Sequence, residues 1–327
     1  MARAAEPAPA SLGRLGYGAA NVGNLYRALS DEQAHAILEA AWEAGIRHFD
    51  TAPHYGLGLS ERRLGAFLAT KPRADFTLST KVGRLLVPDP AGAGTLDLAH
   101  DFVVPADLRR QWDLTPAGVR RSLEESLERL GLDAVDVVYL HDPERADVEG
   151  GLDRALGDGL PAVAALRDEG LVRAVGVGSM VNDALARAAA SGAVDLLMVA
   201  GRYTLVDTSA ADEVLPACRK HGVGVVAAAV FNSGLTAGPE PRDDARFDYE
   251  PAPPGLLARA RRIAEVCRAH GVDLPTAALR FPLRHEVVRA VVVGGAGPDQ
   301  VRQNAARLAA DVPEALWADL ATEGLVP

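Results

Sequence analysis

The sequence is short of cysteine, of basic charge and of long apolar runs, and each shortage removes a class of explanation. Cys218 and Cys267 are its only cysteines, too few for a disulfide framework and too far apart for a Cys-x-x-Cys metal knuckle. Both fall in helix-like stretches, 215–221 and 256–270, where a thiol packs as a small apolar group. Reduced, buried thiols fit a cytoplasmic setting. No apolar run approaches the roughly 20 residues of a membrane-crossing helix. Residues 2–10 are Ala/Pro-rich and carry no apolar stretch of an export signal. Residues 1–10 therefore read as a disordered tail and residues 11–327 as one domain. Lys and Arg number 34 against 44 Asp and Glu, a net charge of −10. Nucleic acid is not the expected partner, because phosphate backbones need clustered cations. His48, His54 and His141 stand in no His-Glu-x-x-His or His-x-His spacing, so no metal site is expected.

What remains is an α/β alternation. Hydrophobic residues make up 48% of the chain, enough for a large core. Short β-branched runs predict strands at 14–19, 46–50, 77–81, 135–141, 172–178, 196–200, 224–229 and 287–293. Amphipathic stretches between them predict helices at 31–44, 116–130, 160–169, 184–191, 210–220 and 256–270. Strands joined by helices pair in parallel, and runs that are apolar almost throughout, such as 172–177, expect cover on both faces. Ser30 with Gln33 has the pattern of a capping box, and Gly45, Gly131, Gly170, Gly192 and Gly222 have the pattern of helix stops. Eight strand–helix units in 327 residues predict a closed (β/α)8 TIM barrel. Two connections, 83–115 and 231–255, are too long for turns. Both leave strand C-terminal ends, where barrel active sites form, so each is expected to serve as a lid or a substrate wall.

Four polar residues cluster at those ends: Asp50 closing the second strand, Tyr55 five positions later, Lys81 closing the third and His141 closing the fourth. Together they suit hydride transfer to or from a carbonyl, which must also move a proton. A free tyrosine, with a pKa near 10, is a poor base at neutral pH. At about 4 Å and an effective dielectric near 20, a lysine cation attracts the phenolate by roughly 4 kcal/mol, about three pKa units. Tyr55 is the expected acid/base, Lys81 the group that lowers its pKa, Asp50 the anchor of Lys81, and His141 the donor that orients the substrate oxygen.

At this point the chain resembles the aldo-keto reductase superfamily. The resemblance runs from Gly16-Tyr17-Gly18 to Asn304. It is carried most specifically by Gly45-Ile46-Arg47-His48-Phe49-Asp50-Thr51-Ala52-Pro53-His54-Tyr55-Gly56 and by Ser122-Leu123-Glu124-Glu125-Ser126-Leu127-Glu128-Arg129-Leu130-Gly131. The family's tetrad is Asp, Tyr, Lys and His in this order. The resemblance implies a nicotinamide cofactor extended across the barrel mouth, with Gly178, Ser179 and Phe231 at the nicotinamide. Two departures stand out. Gly178-Ser179 replaces the usual Ser-Asn, and Ala200-Gly201-Arg202-Tyr203 lacks the usual Gln. No complete Gly-x-Gly-x-x-Gly occurs at Gly176-Val177-Gly178, so a Rossmann domain is not indicated. Gly294 and Gly295 lead toward Gln300 and Asn304 on a helix, a layout that presents backbone N–H groups to phosphate. NADP-dependent relatives place Lys near Gly294 and Arg near Gln300. Neither cation is present here, so NAD is preferred, with NADP admitted through Arg302.

Within the superfamily, four segments resemble the D-threo-aldose 1-dehydrogenase subgroup, also described as L-fucose dehydrogenase-like. They are Gly18-Ala19-Ala20-Asn21-Val22-Gly23-Asn24-Leu25-Tyr26, Ser79-Thr80-Lys81-Val82-Gly83-Arg84, His141-Asp142-Pro143 and Val230-Phe231-Asn232-Ser233-Gly234-Leu235. That implies NAD-dependent oxidation of an aldose at C1 to a lactone, with Asn24, Trp112, Asp142 and Asn232 as candidate sugar contacts. The alternatives are pyridoxal 4-dehydrogenation, NADPH-dependent carbonyl reduction and, in a different class, a cofactor-sensing regulatory subunit.

Overall fold

The strands form where Val, Ala and Gly dominate, because such residues pack on a pleated surface covered from both sides. In the computed structural model, which describes residues 12–248 and 250–327, they are β1 Leu15–Gly18, β2 His48–Asp50, β3 Thr77–Val82, β4 Val137–His141, β5 Ala174–Ser179, β6 Leu196–Ala200, β7 Gly224–Ala228 and β8 Val288–Val293. The expected tail at 1–10 lies outside the described residues. Every neighbouring pair is parallel, and β1 pairs with both β2 and β8, so the sheet closes. All eight expected strands are present, each within about two residues of its expected ends.

Helices α1 Asp31–Glu43, α2 Leu59–Leu68, α3 Pro116–Leu130, α4 Gly151–Asp168, α5 Asn182–Ala190, α6 Val214–His221, α7 Pro254–Ala269, α8 Leu274–Arg280, α9 Pro298–Ala309 and α10 Glu314–Thr322 surround the barrel. Local chemistry sets their ends. The Ser30 hydroxyl accepts from Gln33 N while the Gln33 side chain accepts from Ser30 N, which satisfies donors at the start of α1. Thr115 and Pro116 open α3, and Gly131 closes it in a left-handed conformation. Helix α4 begins nine residues before the expected start. Pro161 lies inside α4, where Ala155, Leu156 and Leu160 bury the extra turns against the core. Helix α2 lies outside the amphipathic stretches expected to be helical. Its ten residues include Arg62, Arg63 and the buried Glu61, which blur the apolar period.

The barrel interior is packed, as such barrels require. Tyr139, Leu196, Met198, Val226 and Val292 fill it, and His48 lies wholly buried among them. Gly16 makes room for His48, since a Cβ on Gly16 would stand 2.7 Å from its Nδ1. Both long connections, expected to serve as lids or substrate walls, contain short antiparallel strands. In the first, Arg84–Pro88 pairs antiparallel with Leu108–Trp112, and in the second Arg246–Phe247 pairs with Glu250–Pro251.

Candidate active site

Parallel register brings the strand-end residues to one rim. Asp50 stands opposite Gly18 and Ser79, Lys81 opposite Tyr139, and His141 opposite Gly178. Lys81 and Asp50 are both buried, and Lys81 Nζ donates to Asp50 Oδ2 at 2.6 Å and to the Thr51 carbonyl at 2.9 Å. Ser79 Oγ donates to Asp50 Oδ1 at 2.7 Å, so both carboxylate oxygens are engaged. The Lys81 ammonium lies 4.7 Å from the centre of the Tyr55 ring. Tyr55 owes its place to a close backbone approach. A Cβ on Gly56, whose φ is +62°, would stand 2.1 Å from the Gly23 carbonyl, so only glycine lets the Tyr55 turn rest against the first loop. The His141 and Tyr55 rings meet edge to face, 6.1 Å apart.

These four residues line one cavity of about 890 Å3 at the C-terminal rim of the barrel. Burial works against the Lys81 charge, but Asp50 and Tyr55 outweigh it and hold the ammonium above its ordinary value. Burial, aided by the charges of Arg84 and Lys81, keeps His141 well below the usual histidine range, so it is a neutral donor at pH 7. Tyr55 departs from expectation. Burial raises its hydroxyl, Lys81 draws it down, and Asp50 and Asp142 push it up again, so the net direction is upward. The phenolate's loss of hydration exceeds the attraction of one lysine that Asp50 already partly neutralises. At neutral pH the Tyr55 hydroxyl is therefore held in its protonated form.

The other expected site residues divide. Trp112, Asp142, Gly178, Ser179 and Gly294 line the cavity. Asn24, Asn232, Phe231, Gly295, Gln300 and Asn304 are not among its lining residues. Asn24 is buried, its Nδ2 donating to the Val103 carbonyl and its Oδ1 accepting from Leu29 N and Arg63. Asn232 is buried with Nδ2 on the Gly201 carbonyl, and Phe231 packs against the main core. Three residues shape the turn after β8. Gln300 accepts from Ala296 N, Asn304 donates to the Gly294 carbonyl, and the Gly295 carbonyl accepts from the Tyr17 hydroxyl. Arg84 and Arg110 also line the cavity; nothing local in the sequence marks them, because only hairpin pairing turns their strands toward the mouth.

The cofactor end fits a nicotinamide dinucleotide. Gly178 leaves space at the rim, and Gly297 precedes α9 without a side-chain cap, so the helix's first N–H groups are open to a phosphate. Arg302 pairs with Asp299 at 3.2 Å and with Glu43 at 3.6 Å. Arg27, not anticipated, donates to the Ala296 carbonyl on this turn.

A parallel eight-stranded barrel whose rim carries a Tyr–Lys–Asp–His cluster defines a barrel oxidoreductase class. The chain belongs to the aldo/keto reductase family, whose model matches residues 14–321, and such enzymes work with a nicotinamide cofactor. It is 58% identical to the D-threo-aldose 1-dehydrogenase of Pseudomonas sp. over 98% of each chain. It is 38% identical to the pyridoxal 4-dehydrogenase of Microbacterium luteolum, covering 95% of this chain and 94% of that one. Among solved structures, the glycerol dehydrogenase of Gluconobacter oxydans shares the fold with a TM-score of 0.74 at 22% identity, over 98% of this chain and 95% of that one. No helix among the described residues is long and apolar enough to cross a membrane.

Proposed function

We propose that the chain oxidises a neutral aldose at C1 to its lactone, with NAD as hydride acceptor, in the cytoplasm. The observation that carries the reading is the Asp50–Lys81–Tyr55–His141 cluster in a cavity walled by polar groups, read together with 58% identity to an aldose dehydrogenase over nearly the whole chain. A nicotinamide dinucleotide held at Gly178, Ser179 and the turn before α9 would supply the hydride acceptor. Tyr55 takes the proton of the anomeric hydroxyl as the C1–H bond gives up its electron pair. Lys81 stabilises the phenolate, and Asp50, fixed by Ser79, holds Lys81 in place. His141, neutral and buried, donates to the sugar oxygen and aligns C1. Trp112 supplies an apolar face for the ring, and Asp142 accepts from a hydroxyl.

Cofactor choice follows from charge. Arg302 is already paired, and Asp299 in the first turn of α9 would repel a 2′-phosphate. NAD is therefore preferred over NADP. Initial rates with L-fucose and each cofactor test this: a kcat/KM at least about tenfold higher with NAD supports it, and equal or better NADP turnover contradicts it. Arg27→Ala supplies a further check, because a selective loss with NADP would identify Arg27 as the phosphate partner.

A further inference from the structure

Above the tetrad, the wall formed by the Arg84–Pro88 and Leu108–Trp112 strands carries two guanidinium groups that hydride transfer does not use. The Arg84 and Arg110 side chains each line the cavity and are 7% exposed. Each is matched by one carboxylate: Arg84 by Asp142, and Arg110 by both oxygens of Asp97 at 2.6 and 2.7 Å. Arg110 also donates to the His54 carbonyl at 2.8 Å, and Arg84 stands 4.5 Å over the Trp112 ring. The Nε–H groups of both arginines are buried without a hydrogen-bond partner. These Nε–H groups are closed off from the cavity, so the donors Arg84 can turn toward a ligand are its Nη groups, which it also shares with His54 and Asp142.

The remaining contact of Arg84 sets a tautomer. Its Nη1 lies 3.2 Å from His54 Nδ1. A guanidinium only donates, so Nδ1 accepts and the neutral ring carries its proton on Nε2. Burial and the charges of Arg84 and Arg110 keep His54 neutral. Its ring stands 5.7 Å from His141 and 6.1 Å from Tyr55, beside the reacting centre.

We propose that Arg84 and His54 form a hydroxyl-reading pair, in which Arg84 fixes the His54 tautomer and both offer N–H donors to ring oxygens of the sugar away from C1. Because Asp142 and Asp97 cancel the two guanidinium charges, the wall offers donors without net charge. It selects neutral, oxygen-rich substrates over phosphorylated or uronic sugars. The inference rests on the aldose reading and assigns its specificity residues.

Two measurements test it. Long-range proton–nitrogen NMR of the unaltered protein is expected to give His54 the Nε2–H signature, mixed or reversed in Arg84→Lys, which keeps a cation for Asp142 but loses the fork. An Nδ1–H signature in the unaltered protein overturns the pair. In kinetics, kcat/KM is compared for L-fucose and analogues each lacking one ring hydroxyl. The unaltered enzyme is expected to lose about tenfold or more on at least one analogue. That penalty should fall to within about twofold in Arg84→Lys and His54→Phe, mainly through KM. His54→Gln, whose amide still donates, should retain it. Undiminished penalties in both variants assign Arg84 and His54 to structure alone and overturn the proposal. Failure of the unaltered enzyme to oxidise any neutral aldose overturns the aldose reading instead.

Discussion

At the scale of the residue, the account turns on charges that hold one another in place. Tyr55→Phe removes the group that exchanges the proton and should lower kcat by at least about a hundredfold while the fold persists, checked by initial rates beside a thermal melt. Lys81→Met differs, because Asp50 would remain buried and unpaired. It should lose activity and also about 3–5 kcal/mol of stability by denaturant titration. That Asp50, Tyr55, Lys81 and His141 converge on one rim was legible in the sequence, because three of them close strands and Tyr55 follows Asp50 by five positions. The upward direction for Tyr55 was not legible. It depends on how deeply the ring is buried and on Asp142 reaching its neighbourhood, and both are properties of the folded rim.

At the scale of the element, regular strands and capped helices were readable and the long connections were not. Strands β1 to β8 announce themselves through β-branched runs, and α3 through Thr115, Pro116 and Gly131. The connection at 83–115 folds back as a hairpin, which depends on pairing Arg84 with Trp112 across the chain and leaves little local period. Asn24 illustrates the consequence. Its polar side chain in a loop resembled a sugar contact, yet its amide is spent on Val103, Leu29 and Arg63, tying the first loop to its neighbours. Two substitutions probe these connections. Gly56→Ala drives a methyl into the Gly23 carbonyl at positive φ and should cost about 1–3 kcal/mol, with a larger fall in kcat than in binding, because Tyr55 moves. Trp112→Ala opens the hairpin wall and should raise KM for L-fucose severalfold with kcat less affected; unchanged Michaelis constants would count against Trp112 as the ring's apolar face.

At the scale of the whole molecule, the barrel buries histidines in neutral form, and this sets its response to acid. Burial lowers His48 to about 4, and His54 and His141 are held well below the usual range. The unfolded chain binds protons at these sites near pH 6.5, whereas the folded chain refuses them until much lower pH. Stability is therefore complete above about pH 6.5 and declines as pH falls toward the folded values. His48 alone accounts for a loss of about 2 kcal/mol by pH 5. Melting temperatures between pH 7.5 and 5 should fall, and His48→Gln should flatten part of that slope. A profile flat to pH 5 would show that these rings are not buried neutral.

The central claim is that this rim removes hydride from C1 of an aldose while Tyr55 takes the proton. Its most direct measurement uses L-fucose deuterated at C1, incubated with NAD and either the unaltered enzyme or Tyr55→Phe, followed by mass spectrometry of cofactor and sugar. The account predicts deuterium in the reduced cofactor, a lactone as product, and almost no transfer by Tyr55→Phe. Unlabelled reduced cofactor, or equal transfer by the variant, would contradict it.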